Sequence, residues 1–214
     1  MITITTVLKS GNRYDASWVE KLKNNLERHM TQPYVFLPLS DAKHDYPSLS
    51  FVQENEKYWN KIELFRPDIL NGPTLFLDLD TVILNDPIPA LKSMSGNDFL
   101  MFRSRTNKGT PVPVASSCIM YWEKKPKNLW EIWNSQSKEY WYKQYAGGRM
   151  GDQAFIRDHA EYKFLQDVSD PEYYKYAVGN EPENFDKSIF LIFGGSNRKP
   201  DLMDWKVIDK EWKL

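Results

Sequence analysis

One segment of the chain, TLFLDLDTVIL over residues 74 to 84, restricts the choice of fold more than any other. Its first residues, 74 to 79, are nearly all apolar; the exception is Asp78, and a second acid, Asp80, follows two positions later. A continuous apolar run is typical of a central strand covered on both faces, as in the parallel sheets of α/β proteins. The segment therefore predicts a buried strand with two carboxylates at its end.

The rest of the chain alternates between strand and helix patterns. Strands are predicted at the amino terminus (residues 2 to 7) and over residues 34 to 39, 74 to 84, 98 to 104, 112 to 122, 163 to 168 and 188 to 193. Helices are predicted over residues 15 to 30, about 55 to 65, 127 to 145 (ending at Gly147 and Gly148), 151 to 159 and 201 to 212. This order predicts a single α/β domain over residues 1 to 214 with a mixed, mostly parallel sheet.

The start of the first helix has two candidate caps. Ser17 and Glu20 have the spacing of a capping box, and Asp15 is an alternative N-cap. The apolar residues that follow recur at helical spacing, which predicts one buried face: Trp18, Val19, Leu22, Leu26 and Met30.

Composition excludes several classes of protein. The 28 basic and 29 acidic residues give a net charge of -1, too balanced for binding nucleic acid by bulk electrostatics. A single cysteine, Cys118, excludes an intrachain disulfide, and no apolar run approaches the ~20 residues of a membrane span. We therefore expect a cytoplasmic protein with no membrane anchor and no nucleic-acid partner.

The two acids of the buried strand need charge compensation. If the chain is extended through Asp78 and Asp80, both side chains point to the same side and repel each other. A shared proton, a neighbouring lysine or arginine, backbone N–H groups or a divalent cation would relieve the repulsion. We favour the cation, because ligands of open α/β sheets bind at the carboxyl ends of strands. The alternative is an Asx turn at Asp80, with Asp78 held by a helix N-terminus.

Several segments in order resemble the metal-dependent glycosyltransferases of the GT-A fold, and family 8 with its short bacterial and phage-borne relatives in particular. They are VLKSGNRYDASWVEKL, KYWNKIELFRP, GPTLFLDLDTVILNDP, GDQAFI and FGGSNRKP. The resemblance implies a Rossmann-like nucleotide-diphospho-sugar transferase fold. It also implies transfer of a sugar, with retained anomeric configuration, from a nucleotide-sugar donor, most often linked to UDP, to an acceptor hydroxyl.

The resemblance assigns residues to the donor site. Asp78 and Asp80 match the family's Asp-x-Asp motif, which binds Mn²⁺ or Mg²⁺ at the donor diphosphate. Tyr14 would stack on the base, or else it packs on the following helix. The first strand and its loop would hold the base and ribose through Thr6, Val7, Leu8 and Lys9.

Two lysines are further candidates for the diphosphate. Lys61 would contact the phosphates or Asp78; the alternative is a solvent-facing lysine. Lys199 matches the lysine of the family's carboxyl-terminal Lys-Pro motif. The family has a histidine a few residues earlier as a third metal ligand, but here the sequence from Phe193 reads FGGSNR, with Gly194 and Gly195. Water, substrate or Asn197 would take its place.

The sugar end of the site is assigned in the same way. Asp152 and Gln153 match the Asp-Gln pair that lies near the sugar and the acceptor, and Asp152 also suits the first turn of a helix. Ser116 and Ser117 fall where the family has small polar residues near the donor sugar, although both are also ordinary strand residues.

Other classes of protein remain as alternatives. A haloacid-dehalogenase-type phosphatase also has Asp-x-Asp after an apolar strand, but Val82 stands where its threonine should be. A nucleotidyltransferase needs a glycine-rich basic loop that SGNRYD matches poorly. A carbohydrate-binding protein or an inactive relative would use the same surfaces without catalysis. The sequence leaves the sugar, the acceptor and the oligomeric state open.

Overall fold

The computed structural model describes residues 1–11, 13–105, 111–146, 151–181, 184–195 and 198–214. Its strands are β1 (Ile2–Thr5), β2 (Val7–Leu8), β3 (Tyr34–Phe36), β4 (Leu39–Ser40), β5 (Thr74–Leu77), β6 (Val82–Ile83), β7 (Phe99–Arg105), β8 (Pro111–Trp122), β9 (Lys163–Phe164), β10 (Tyr174–Tyr176) and β11 (Phe190–Ile192). The α-helices are α1 (Ala16–His29), α2 (Ile88–Met94), α3 (Leu129–Asn134), α4 (Lys138–Gln144), α5 (Gly151–His159), α6 (Leu165–Val168) and α7 (Lys206–Glu211), and 3-10 helices span Lys57–Phe65, Pro171–Tyr173 and Pro200–Leu202.

The central sheet has the strand order β3-β1-β5-β8-β7-β9. Strand β1 is parallel to β3 and β5, and β7 is parallel to β9, whereas β8 runs antiparallel to both β5 and β7. This arrangement confirms the predicted α/β class with a mixed, mostly parallel sheet.

Strand β5 is covered on both faces, as its apolar sequence predicts. Leu75 and Leu77 pack in one hydrophobic cluster together with α1, and Phe76 packs in a second cluster on the opposite face with the 3-10 helix Lys57–Phe65. The carboxyl end of β5 is thereby fixed between two cores.

A smaller sheet brings the carboxyl-terminal part of the chain to this end of β5. Strand β11 pairs with β6 in antiparallel fashion and with β10 in parallel, in the order β10-β11-β6. Because β6 begins only two residues after Asp80, the segment that follows β11 lies close to the two acids.

Helix α1 begins at the alternative cap. The side chain of Asp15 accepts a hydrogen bond from the backbone N–H of Ser17 at 2.9 Å, and Ser17 already lies inside the helix. The capping box of Ser17 with Glu20 is therefore wrong. Four residues of the predicted apolar face, Trp18, Val19, Leu22 and Leu26, are buried as expected. The fifth, Met30, is half-buried and lies at the C-cap, beyond the last helical residue.

The segment predicted as a helix at about 55 to 65 forms a 3-10 helix over Lys57–Phe65. Residues 59 to 65 are all buried, and among them Trp59, Ile62 and Phe65 recur at intervals of three. A 3-10 helix has three residues per turn, so this spacing places all three side chains on one line.

Four other predicted elements differ from the structure. The helix over 127 to 145 is broken into α3 and α4, because the hydroxyl of Ser137 accepts a hydrogen bond from the N–H of Tyr140 and starts a new helix. The strand predicted over 163 to 168 ends after β9, and the chain continues as α6. The helix predicted over 201 to 212 is reduced to α7, which follows a 3-10 turn. Residues 74 to 84 form two strands separated by a turn. The predicted helix end at Gly147 and Gly148 lies outside the described residues.

Candidate active site

A cavity of about 710 Å³ opens at the carboxyl end of β5. It contains most of the residues that the sequence assigns to the donor site: Val7, Lys9, Tyr14, Lys61, Asp78, Asp80, Gln153 and Lys199. A neighbouring cavity of about 740 Å³ shares Tyr176 with it but contains none of the predicted site residues.

The two acids reach this cavity from a turn and not from an extended strand. Strand β5 ends at Leu77, and the backbone N–H of Thr81 donates a hydrogen bond to the carbonyl of Asp78 at 3.0 Å. The expectation that Asp78 and Asp80 share a side because the chain is extended is therefore wrong. The turn bends the chain at the end of the sheet, and both acids still line one cavity.

Lys61 compensates the charge of Asp78. Its Nζ lies 2.8 Å from Oδ1 of Asp78 and 3.5 Å from Oδ2 of Asp152, and it donates to the hydroxyl of Ser117 at 3.1 Å. Burial opposes the charged ammonium, but the charges of Asp78 and Asp152 outweigh it and raise the pKa of Lys61 above 10.5. The predicted contact of Lys61 with Asp78 is confirmed.

Lys199 compensates the charge of Asp80. The two side chains form an ion pair across 119 positions of sequence, with the ammonium of Lys199 also 5.7 Å from the centre of the Tyr14 ring. Burial lowers the pKa of Lys199, but the charge of Asp80 raises it by more, so the pKa lies above its usual 10.5. Each acid of the turn thus has its own lysine.

Tyr14 packs on the following helix, as one of its two predicted roles expects, and its stacking on a base stays a prediction. Its ring packs edge-on against Trp18 of α1, with centroids 4.7 Å apart, and it also lines the cavity. Burial and the charge of Asp80 raise the pKa of Tyr14 to about 12, so the hydroxyl keeps its proton and donates a hydrogen bond to Oδ2 of Asp80 at 3.3 Å.

Asp152 and Gln153 of α5 and Ser116 and Ser117 of β8 form a hydrogen-bonded group next to Lys61. Oε1 of Gln153 accepts hydrogen bonds from the hydroxyl of Ser116 at 2.8 Å and from the N–H of Ser117 at 3.3 Å. Gln153 and Ser116 line the cavity. Asp152 is buried behind them in the first turn of α5, where it accepts a hydrogen bond from Ser117 at 3.3 Å.

The predicted nucleotide-binding residues at the start of the chain separate into two groups. Val7 and Lys9 line the cavity, whereas the side chains of Thr6 and Leu8 are fully buried. Lys9 is held by Asp41 at 3.3 Å and Glu54 at 3.2 Å. Alternation along the chain explains the division, because successive side chains point to opposite sides.

No histidine is found among the described residues that line the cavity, and Phe193, Gly194 and Gly195 lie there where the resemblance expects one. Asn197, the proposed substitute ligand, lies outside the described residues. Burial raises the pKa of the Cys118 thiol in the cavity wall to about 12, so it stays protonated.

Sequence reasoning overlooked part of the wall. Strands β7 and β10 and the end of β11 contribute Phe102, Ser104, Tyr176 and Ile192, and the 3-10 helix contributes Tyr58. The sequence did indicate that Phe102 and Ser104 lie on the same face, because they are two positions apart in a predicted strand. No local signal linked Tyr176 or Tyr58 to the acids.

The comparisons with known proteins rest on structure. No family model and no curated protein matches the chain. Among solved structures, an active-site glutamine-to-glutamate mutant of LgtC is 8% identical, with a TM-score of 0.62 and coverage of 97% of this chain and 94% of that chain. The galactosyltransferase LgtC in complex with donor and acceptor sugar analogs is 10% identical, with a TM-score of 0.59 and coverage of 99% and 97%.

A third similar structure is a glycosyltransferase involved in glycosylation of the major capsid of PBCV-1. It is 14% identical, with a TM-score of 0.52 and coverage of 89% of this chain and 91% of that chain. The chain has the GT-A fold of glycosyltransferases, as the sequence resemblance implies.

A search of the described helices finds none with the length and apolar character to cross a bilayer. In the same part of the chain, no three histidine, cysteine or acidic side chains come together as a metal site of their own.

Proposed function

We propose that this protein is a metal-dependent glycosyltransferase that transfers a hexosyl group from a UDP-sugar to an acceptor hydroxyl. One observation carries the proposal: two acids, each paired with a lysine, converge in one cavity of a chain with the GT-A fold. The pairs are Asp78 with the buried Lys61 and Asp80 with the half-buried Lys199. A site of this kind suits a substrate that is both a polyanion and a sugar.

The diphosphate end of the donor would lie at Lys199. Glycosyl transfer breaks the bond between the anomeric carbon and the diphosphate oxygen, and the electron pair stays on the nucleoside diphosphate. An ammonium that is largely shielded from solvent next to that oxygen stabilises the developing charge more than it would in water. Lys9 and Tyr14 line the adjoining wall, which supports placing the nucleoside there.

The two acids suit a hard divalent cation such as Mn²⁺ or Mg²⁺. These ions are commonly held by one or two carboxylates, with substrate phosphates and water completing the shell. Asp78 and Asp80 would hold the ion, with Lys199 released from Asp80 to the phosphates. When bound, the ion supplies positive charge beside the leaving diphosphate.

The reacting sugar would lie over Gln153. Its side chain is fixed by Ser116 and Ser117, and Asp152 behind it is tied to Lys61, so the amide is held in one orientation. The similarity to LgtC, of which an active-site glutamine mutant is known, supports this choice. The acceptor oxygen then bonds to the anomeric carbon with retention of configuration, and the acceptor proton passes to the departing diphosphate or to solvent.

A turnover screen tests the proposal. The protein is incubated with Mn²⁺ and a panel of nucleotide sugars, and release of nucleoside diphosphate is measured. We expect UDP release from at least one UDP-hexose, a loss of at least a hundredfold in Asp80→Asn, and no change in Asp98→Asn, whose carboxylate lies in an exposed surface pair with Lys124.

Two results would contradict it. Absence of turnover with every nucleotide sugar would favour a binding protein or an inactive relative. Hydrolysis of a generic aryl phosphate that is lost in Asp78→Asn would favour the phosphatase alternative. The anomeric configuration of the product, read by proton NMR, tests retention separately.

A further inference from the structure

Tyr58 is a large aromatic side chain that the fold leaves uncovered at the rim of the cavity. It is 53% exposed, whereas the adjacent Trp59 is 4% exposed. Ligand pockets are lined predominantly by hydrophobic and aromatic side chains, so an exposed aromatic ring at the edge of a cavity is a candidate ligand contact. Tyr58 has no role in the donor site described above.

In the 3-10 helix, Tyr58 lies one turn before Lys61. Tyr58 and Lys61 are three residues apart, and a 3-10 helix has three residues per turn with a rise of about 2.0 Å per residue. The two side chains therefore lie on the same side of the helix, roughly 6 Å apart along its axis. Both line the cavity, with Lys61 buried at Asp78 and Tyr58 at the solvent end.

The ring of Tyr58 is held in place by close packing. The ring lies against the backbone of Gly151. A Cβ on residue 151 would overlap Cε2 of Tyr58. Gly151 is the first residue of α5 and immediately precedes Asp152 and Gln153. The ring is therefore preorganised next to the residues proposed to hold the reacting sugar.

We propose that Tyr58 is the platform on which a saccharide acceptor stacks before transfer. This inference rests on the proposed function, which needs a second substrate beside Gln153 on the open side of the cavity. The C–H face of a pyranose packs well on an aromatic face, and a rigid aromatic side chain makes such a contact at small entropic cost. The acceptor would be a glycoside and not a serine or threonine side chain of a peptide.

The test separates binding of the acceptor from binding of the donor. Initial rates of UDP release with Mn²⁺ are measured for the wild type, Tyr58→Ala, Tyr58→Phe and Tyr140→Ala, against a panel of methyl and para-nitrophenyl hexopyranosides. Tyr140 is the matched control, because it is 48% exposed and does not line the cavity. Melting temperatures confirm that each variant is folded.

We expect the acceptor KM to rise roughly tenfold in Tyr58→Ala, as loss of a stacking contact of this kind would give, and the donor KM to change less than twofold. Tyr58→Phe, which keeps the ring, should restore the acceptor KM to within twofold of the wild type. Tyr140→Ala should leave both constants unchanged.

Equal acceptor KM values for the wild type and Tyr58→Ala would overturn the proposal, as would transfer to hydroxyl-bearing peptides but to no glycoside. Saturation-transfer NMR with the methyl glycosides provides a second readout that needs no turnover. A signal in the wild type that is lost in Tyr58→Ala supports the platform even if no donor is consumed, and absence of any signal or a signal equal in both proteins contradicts it. Failure of the donor reaction is therefore distinguished from failure of this inference.

Discussion

Nζ of Lys61 lies 2.8 Å from Oδ1 of Asp78, and the lysine side chain is only 10% exposed. This contact joins the 3-10 helix to the turn after β5, and through Asp152 it also joins both to α5. The charge of Lys61 thus links Asp78 of the turn to Asp152 of α5, and the two carboxylates raise the pKa of Lys61, which keeps it protonated.

Removal of the Lys61 charge should destabilise the fold. Lys61→Met leaves the buried Asp152 and the half-buried Asp78 without their common counter-ion. Loss of one partner of a fully buried pair costs about 3–5 kcal/mol, and the partial exposure of Asp78 places the expected cost at the lower end of that range. Urea unfolding followed by tryptophan fluorescence measures the free energy of unfolding. The control is Lys124→Met, which breaks an exposed pair with Asp98 and should cost less than about 1 kcal/mol. Equal effects of the two substitutions would show that Lys61 carries no buried charge.

Gly194 and Tyr176 should be strongly coupled. A Cβ at Gly194 would overlap the phenolic oxygen of Tyr176, so Gly194→Ala must displace that ring, at a cost of about 1–3 kcal/mol for overpacking. In a Tyr176→Ala background the cost should fall below about 1 kcal/mol, because the overlapping atoms are gone.

Gly195 provides the control for this double-mutant cycle. A Cβ at Gly195 meets no atom within 4 Å, but the residue has a φ of +79°, which a side chain disfavours. The cost of Gly195→Ala should therefore be the same with and without Tyr176. If Gly194→Ala is equally costly in both backgrounds, the overlap with Tyr176 is not its cause.

Glu211 should contribute to stability at neutral pH and lose that contribution in acid. Burial disfavours its charged form, but hydrogen bonds from His29 and Lys210 outweigh burial and hold the pKa of Glu211 below its usual 4.5. Its contribution is therefore complete above the unfolded pKa of about 4.5 and declines as the pH falls through the lower folded value.

The substitution Glu211→Gln, which removes the carboxylate charge, tests the direction of this pH dependence. The melting temperature of the wild type should fall more steeply than that of Glu211→Gln as the pH is lowered from about 5 to 3. The difference between the two proteins should shrink as the pH falls toward the folded pKa of Glu211 and vanish below it, where Glu211 is neutral. A constant difference in melting temperature over the range would show that the carboxylate is not the titrating group.

Much of the fold could be predicted, because the spacing of apolar residues along the chain indicates which side chains are buried. The apolar run before Asp78 identified a strand covered on both faces, and the face of Trp18, Leu22 and Leu26 identified α1. The turn after Leu77 was not predictable from the same run, because Leu79 and Val82 are buried whether the chain is extended or bent.

The candidate site was predictable in residue type and less so in arrangement. The sequence placed two acids at a strand end, and the resemblance added Lys61, Lys199 and Gln153. The pairing of Lys199 with Asp80 could not be predicted from the sequence, since the two residues meet across 119 positions through the pairing of β11 with β6. The intervals of three in the 3-10 helix were visible, but they also fit an α-helix that is buried on one side.

Calorimetric titration of the protein with UDP tests the central claim most directly. In buffer with Mn²⁺ we expect saturable binding that weakens at least tenfold when the metal is removed by EDTA, and to a similar extent in Asp80→Asn. No binding of UDP in either buffer, or an affinity that is the same with Mn²⁺, with EDTA and in Asp80→Asn, would contradict a metal-assisted donor site at the end of β5.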